Sequence, residues 1–273
     1  FYIAVAEAPI EIVTNDGTVV QTYSSATGVI EADVEPGPMV ISINALGFAP
    51  KRVNSHVNPK KPFHIRLIST RMYGYVWPKW VEGGQEAEVL VSSSAPYRAE
   101  IWRYGLEKKK VANLGFDSHP YGATLQNTGD GDFVSTGLTW KDGIKFKAPA
   151  ESGLYFVHIS NEKDEWLSAP LIVYSKKPSA RIAVLASNIT WNAYNNFGGR
   201  SNYVLATGLP EKPLLHRRID LPRYSEAEIS GEHETWNNTD YPTLSFRRPE
   251  LSNQVPLAEG IRDDISLRDA CGL

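Results

Sequence analysis

The stretch EAEVLVSSSAPYRAEIWRYG, Glu86 to Gly105, decides how the fold is read. Its two halves, EAEVLVSSS (Glu86 to Ser94) and YRAEIWRYG (Tyr97 to Gly105), each alternate apolar and polar side chains. A period of two places successive side chains on opposite faces, as in a half-buried strand. GIKFKAP (Gly143 to Pro149) and GLYFVHIS (Gly153 to Ser160) repeat the pattern, with Gly, Pro, Asn and Asp between them. Strand follows strand with no helical period. Residues 71–178 are therefore expected to form an antiparallel β-sandwich of immunoglobulin type.

Upstream, IEIV (Ile10 to Val13) runs into TNDG, a tight-turn signal, and then TVVQTY. Glu35-Pro-Gly-Pro punctuates the chain before MVISINALGF, which alternates in its first half, and FHIRLI (Phe63 to Ile68) follows a Pro-Lys-Lys-Pro turn. The Asp-Gly turn, the Pro-Gly turn and the phrase ALGFAPKRV (Ala45 to Val53) resemble the small transthyretin-like or carboxypeptidase-regulatory β-sandwich. That resemblance implies a β-sandwich over residues 1–70 and no activity, because such modules decorate other domains.

Beyond Lys176-Lys177-Pro178 the texture changes. ARIAVLA (Ala180 to Ala186) is nearly continuously apolar, as a strand buried on both faces of a parallel sheet would be. TWNAYNNFGGRSNY (Thr190 to Tyr203) follows within a few residues. In open α/β sheets, ligands bind at the carboxyl ends of such strands, so this amide-rich loop lies where a site is expected. No second or third buried strand follows; PTLSF (Pro242 to Phe246) reads as at most one short strand. The expectation is thus a multidomain, mainly β chain: two β-sandwiches, then over residues 179–273 the start of an α/β domain that is incomplete here.

With 273 residues, two or three domains are expected. A net charge of −3 gives no basic field for nucleic acid or anionic lipid. Lys108-Lys109-Lys110 is read as a solvated turn. No apolar run approaches the ~18 residues of a membrane span. The single cysteine, Cys271, excludes an internal disulfide and a cysteine-based zinc site. The six histidines show no helical i, i+4 pair and no HExxH, and GxSxG, P-loop and GxGxxG motifs are absent from the sequence. TGDGD (Thr128 to Asp132) reads as a hairpin turn rather than a calcium loop, which needs twelve residues ending in Glu. His158, inside GLYFVHIS, is read as structural or surface.

The aromatic loop keeps three readings. Tyr194 and Tyr203 could anchor a loop by burying a ring, stack against a sugar, or offer phenolate oxygens to a hard Lewis acid such as ferric iron.

SGLYFVHI, then APLIV, then ARIAVLASNITWNAYNNFGGRSNY resemble the large (β) subunit of N,N-dimethylformamidase and its relatives. So does the downstream Ser245-Phe246-Arg247-Arg248-Pro249. The family phrase is T-x-T-aromatic-x-A-Tyr-x-Asn followed by Ser-x-Tyr, matched here by Asn188-Ile189-Thr190-Trp191-Asn192-Ala193-Tyr194-Asn195-Asn196 and Ser201-Asn202-Tyr203, and the resemblance covers roughly residues 73 to 250. It implies an amidohydrolase that cleaves a small formamide with a mononuclear iron held by two tyrosines and one glutamate. Carried over, it makes Tyr194 and Tyr203 iron ligands and makes Asn195 or Asn196 groups that orient substrate or a neighbouring side chain.

The family's glutamate lies in a His-Pro-Glu-Tyr phrase after the tyrosines, and no such phrase occurs here. SHPYG (Ser118 to Gly122) precedes the tyrosines and lacks the glutamate. The third ligand is therefore expected from outside this chain, which by itself should be inactive. The expected partners are the remainder of the α/β domain, in cis or as a second polypeptide, a small amide substrate and further subunits of an oligomer. The alternative reading is a non-catalytic β-sandwich module that binds a glycan or a partner protein.

Overall fold

The computed structural model describes residues 4–57, 65, 67–105, 107–117, 133–138, 140, 143–198, 201 and 243–254. Tyr203, SHPYG, TGDGD, Cys271 and half of FHIRLI (Phe63, His64 and Arg66) lie outside them.

The chain is mainly β, in three sheets among the described residues. The first holds β1 (Pro9–Thr14), β2 (Val19–Tyr23), β3 (Gly37–Ile43) and β4 (Lys51–Val57), all antiparallel, in the order β2-β1-β3-β4. Its alternation is the one read from the sequence. Ile10, Ile12, Met39, Ile41 and Ile43 are buried on one face, with Phe48 and Leu67 packed against them. The TNDG turn joins β1 to β2: Thr14 N–H donates to Thr18 O, and Gly17 takes a φ of +86°, where a side chain would be strained.

The next two sheets face each other. One is β10 (Ile144–Lys147), β7 (Glu86–Ser92) and β5 (Tyr73–Trp77), in that order. The other is β6 (Trp80–Glu82), β12 (Trp166–Tyr174), β11 (Gly153–Asn161), β8 (Tyr97–Tyr104) and β9 (Lys108–Asp117). Pairing is antiparallel except for β6 beside β12. Between the sheets lie Val89, Val91, Ala99, Ile101, Val157, Ile159, Leu167 and Leu171, all buried. These are alternate residues of their strands, so period-two patterning alone assigned the core face.

Strand β7 is buried on both faces. Val89 and Val91 point into the sandwich, whereas Leu90 points outward into a second cluster with Tyr75, Val134, Leu138, Trp140 and Phe197. A short helix α1 (Phe133–Thr136) supplies Val134. The chain after the sandwich therefore docks on the outer face of the three-stranded sheet.

Four readings need correction. Lys108-Lys109-Lys110 is the first part of β9, not a turn, and among the described residues β9 is an edge strand, where lysines discourage further pairing. PTLSF forms no strand among the described residues. ARIAVLA is irregular chain rather than a buried strand: Ile182, Val184 and Leu185 are 81%, 91% and 94% exposed. Apolar continuity is local, but a strand also needs a partner about 4.8 Å away, and among the described residues none lies beside it. Finally, the aromatic loop begins as a helix, α2 (Asn188–Tyr194).

Candidate functional site at the end of helix α2

Seven residues do not make a stable helix alone. Helix α2 carries Ile189 and Thr190, both β-branched, and its N-cap, Ser187, makes no side-chain capping bond. Its stability must come from outside, and the source is a segment fifty residues downstream.

Residues Leu244 to Asn253 run across α2 and the sandwich, and nearly every residue in the first half makes a defined contact. Ser245 N–H donates to Val134 O at 2.8 Å, and Leu138 N–H donates to Arg247 O at 2.8 Å. Phe246 packs edge-on against Trp80, ring centres 5.1 Å apart. The Arg247 guanidinium lies 4.4 Å from the centre of the Trp77 ring, a cation–π contact. Between the two parts of this stitch lies Gly137 at φ +89°, where a Cβ would come within 2.5 Å of Ser245 Oγ.

Arg248 is fully buried, at 0% exposure. Its Nε donates to Ser245 O at 2.9 Å and its Nη1 to Phe197 O at 3.0 Å. Nη2 donates to both Asn192 O and Asn192 Oδ1 at 3.1 Å. A charge taken out of water needs such a set of acceptors. Asn192 of α2 and Asn195 just after it answer in the other direction: Asn192 Nδ2 donates to Leu244 O at 2.9 Å and Asn195 Nδ2 to Pro249 O at 2.8 Å.

Lys79 secures the same segment to the sandwich. Its buried ammonium donates to Arg248 O at 3.2 Å and pairs with Glu250, whose other oxygen accepts from Asn253 Nδ2 at 3.2 Å. Burial pushes the Lys79 ammonium below its ordinary pKa while Glu250 pushes it back up. Both Glu250 oxygens are thus engaged, and this carboxylate is not presented to a ligand.

The residues singled out from sequence fall on different sides of this clamp. Tyr194 is 55% exposed at the last residue of α2. Asn195 is 1% exposed; besides its bond to Pro249 O, its Oδ1 accepts from Phe197 N–H at 3.1 Å. Asn196 is exposed, and Phe197 is buried edge-on against Tyr73, 5.1 Å between ring centres. The Trp191 indole N–H is buried without a partner. Tyr203 lies outside the described residues. Among the described residues no three His, Cys, Asp or Glu side chains converge as a metal group. A phenol oxygen is a hard donor, so Tyr194 fits as one ligand of a hard cation. Arg248, Lys79 and Glu250 went unassigned in the sequence reading; the Arg-Pro phrase was visible, but its target was not.

The arrangement defines a class: a β-sandwich that carries, on its outer face, a short clamped helix ending in an exposed tyrosine, with a buried and then an exposed asparagine after it. The chain belongs to the N,N-dimethylformamidase beta subunit-like, C-terminal family, whose model matches residues 98–250, more than half of its 273 residues. The match includes α2 and residues 244–250 of the clamp; it does not extend to Lys79 or to the first sheet. Comparison with curated proteins gives no match. Among solved structures the chain is similar to a DUF3823 family protein from Bacteroides ovatus, with 10% identity over 62% of this chain and 90% of that one; its TM-score of 0.22 carries no argument.

Proposed function

We propose that this chain supplies part of the site of a dimethylformamidase-like, metal-dependent amidohydrolase that breaks the C–N bond of a small amide. Family membership over the segment that builds the α2 clamp carries this reading, and it favours hydrolysis over the glycan-binding or partner-binding alternative.

Tyr194 and Tyr203 are the proposed donors to a mononuclear iron, with a third donor from outside this chain, either the rest of an α/β domain or a second polypeptide. Bound ferric iron would supply Lewis acidity toward an amide carbonyl and a coordinated water. The chain's own work is positional. Asn196, exposed two residues after Tyr194, is the proposed hydrogen-bonding group for substrate, and Asn195 holds the turn between them. Exposed Ile182, Val184 and Leu185, just before α2, suit an added strand of a parallel sheet.

The test is metal analysis and N,N-dimethylformamide hydrolysis on the complete assembly. Tyr194→Phe is expected to abolish hydrolysis and to lower iron content. Unchanged activity with no iron present would overturn the reading.

A further inference from the structure

We propose that Arg248 is the positioning residue of this site: its guanidinium sets the rotation of α2 and thereby the direction in which Tyr194 presents its phenol. The inference rests on the hydrolase reading.

The geometry is specific. At about 100° per residue, Asn192 and Asn195 share one face of α2, and Tyr194 stands about 200° from Asn192. The face bearing the two asparagines is held by hydrogen bonds, so the opposite face is the one offered outward. Arg248 reaches Asn192 O, Asn192 Oδ1 and Phe197 O, acceptors that bracket Tyr194 on both sides in sequence. The guanidinium is a rigid planar fork, so these acceptors keep a fixed separation. Phe197 adds apolar anchorage to the sheet, but a ring in an apolar pocket does not fix the helix's rotation. The clamp is in turn held by Lys79 at Arg248 O and by the close approach at Gly137. A guanidinium buried among carbonyl groups of Asn192, Phe197 and Ser245 is costly to build for stability alone, since an apolar side chain would fill the space without a charge.

The test uses the complete protein with ferric iron as the probe, followed by the tyrosinate-to-iron absorption band. Arg248→Lys keeps the charge and loses the fork. It is expected to weaken iron binding about 10–100-fold and to shift the band, as changes behind a metal ligand do. Val157→Ala, deep in the sandwich, is the control: it lowers the melting temperature and leaves iron affinity and band unchanged. A second readout needs no iron. Hydrogen exchange at the amides of residues 192–197 is expected to rise at least tenfold in Arg248→Lys but not in Val157→Ala. Wild-type exchange in Arg248→Lys overturns the proposal, as does wild-type iron affinity with an unshifted band. Asn192→Ser, which removes one acceptor of the same guanidinium, is read identically if Arg248→Lys does not fold. An unchanged band in Tyr194→Phe, by contrast, overturns the hydrolase reading and leaves the exchange result to decide the positioning role.

Discussion

Arg248 Nη2 lies 3.1 Å from both the main-chain oxygen and the side-chain oxygen of Asn192, across fifty-six residues of sequence. This bidentate contact joins the two parts of the family segment that matter most, the aromatic loop and the Arg-Pro phrase. It explains why a seven-residue helix with poor local propensity persists.

The two asparagines that follow Tyr194 should separate cleanly. Asn195→Ala removes two buried hydrogen bonds and leaves Pro249 O and Phe197 N–H without their partner. A stability loss of about 2–4 kcal/mol is expected from chemical denaturation. Asn196→Ala, at an exposed position, should stay within about 0.5 kcal/mol of wild type. If Asn196 orients substrate, this second variant is the one whose KM for N,N-dimethylformamide rises in the complete assembly.

Lys79 and Glu250 form a buried pair. Removing one member strands the other, so Lys79→Met is expected to cost about 3–5 kcal/mol. The double change Lys79→Met with Glu250→Leu should recover much of that loss, because neither charge is then buried alone. A double-mutant cycle measured in urea checks it. Equal losses in the single and double variants would show that the segment needs the pair's hydrogen bonds rather than its charge balance.

His158 gives the protein an acid limit. It stacks on Trp166 and lies 3.1 Å from Ser168 Oγ, opposite Glu100 on the neighbouring strand. Burial pulls its pKa from 6.5 down to about 4, with Glu100 opposing. The folded state therefore favours the neutral ring. Its contribution is complete above about pH 6.5 and is lost as the pH falls toward 4, because the unfolded chain binds the proton first. At about 1.4 kcal/mol per unit the loss is at most about 3 kcal/mol. The difference in urea midpoint between wild type and His158→Gln, measured at pH 7, 5.5 and 4, should shrink by that order across the window.

Gly137→Ala should loosen the clamp from beneath. The φ of +89° strains any side chain, and the new Cβ would stand 2.8 Å from Arg247 Cβ as well as against Ser245 Oγ. A loss of about 1–3 kcal/mol is expected, along with faster hydrogen exchange in α2. A thermal melt together with exchange at residues 188–197 checks both.

Sequence alone determined the sandwich. In β7, β8, β10 and β11 the core face is written in alternate residues, a local signal that needs no knowledge of the partner strand. The same holds for Ile10, Ile12 and Ile41 of the first sheet, and the aromatic phrase with its downstream Arg-Pro pointed to the family. Tertiary structure decided the rest. ARIAVLA has the composition of a buried strand, yet burial depends on neighbours, and among the described residues none lies beside it. TWNAYNN reads as a loop, yet it begins as a helix that a guanidinium from residue 248 grips at Asn192 and, just past its end, at Phe197 O. Asn195 and Asn196 look equivalent as letters; one is locked under Pro249 and the other faces outward. The helix and the locked Asn195 rest on hydrogen bonds spanning more than fifty residues, and no local pattern of side chains encodes which oxygen a distant arginine will find.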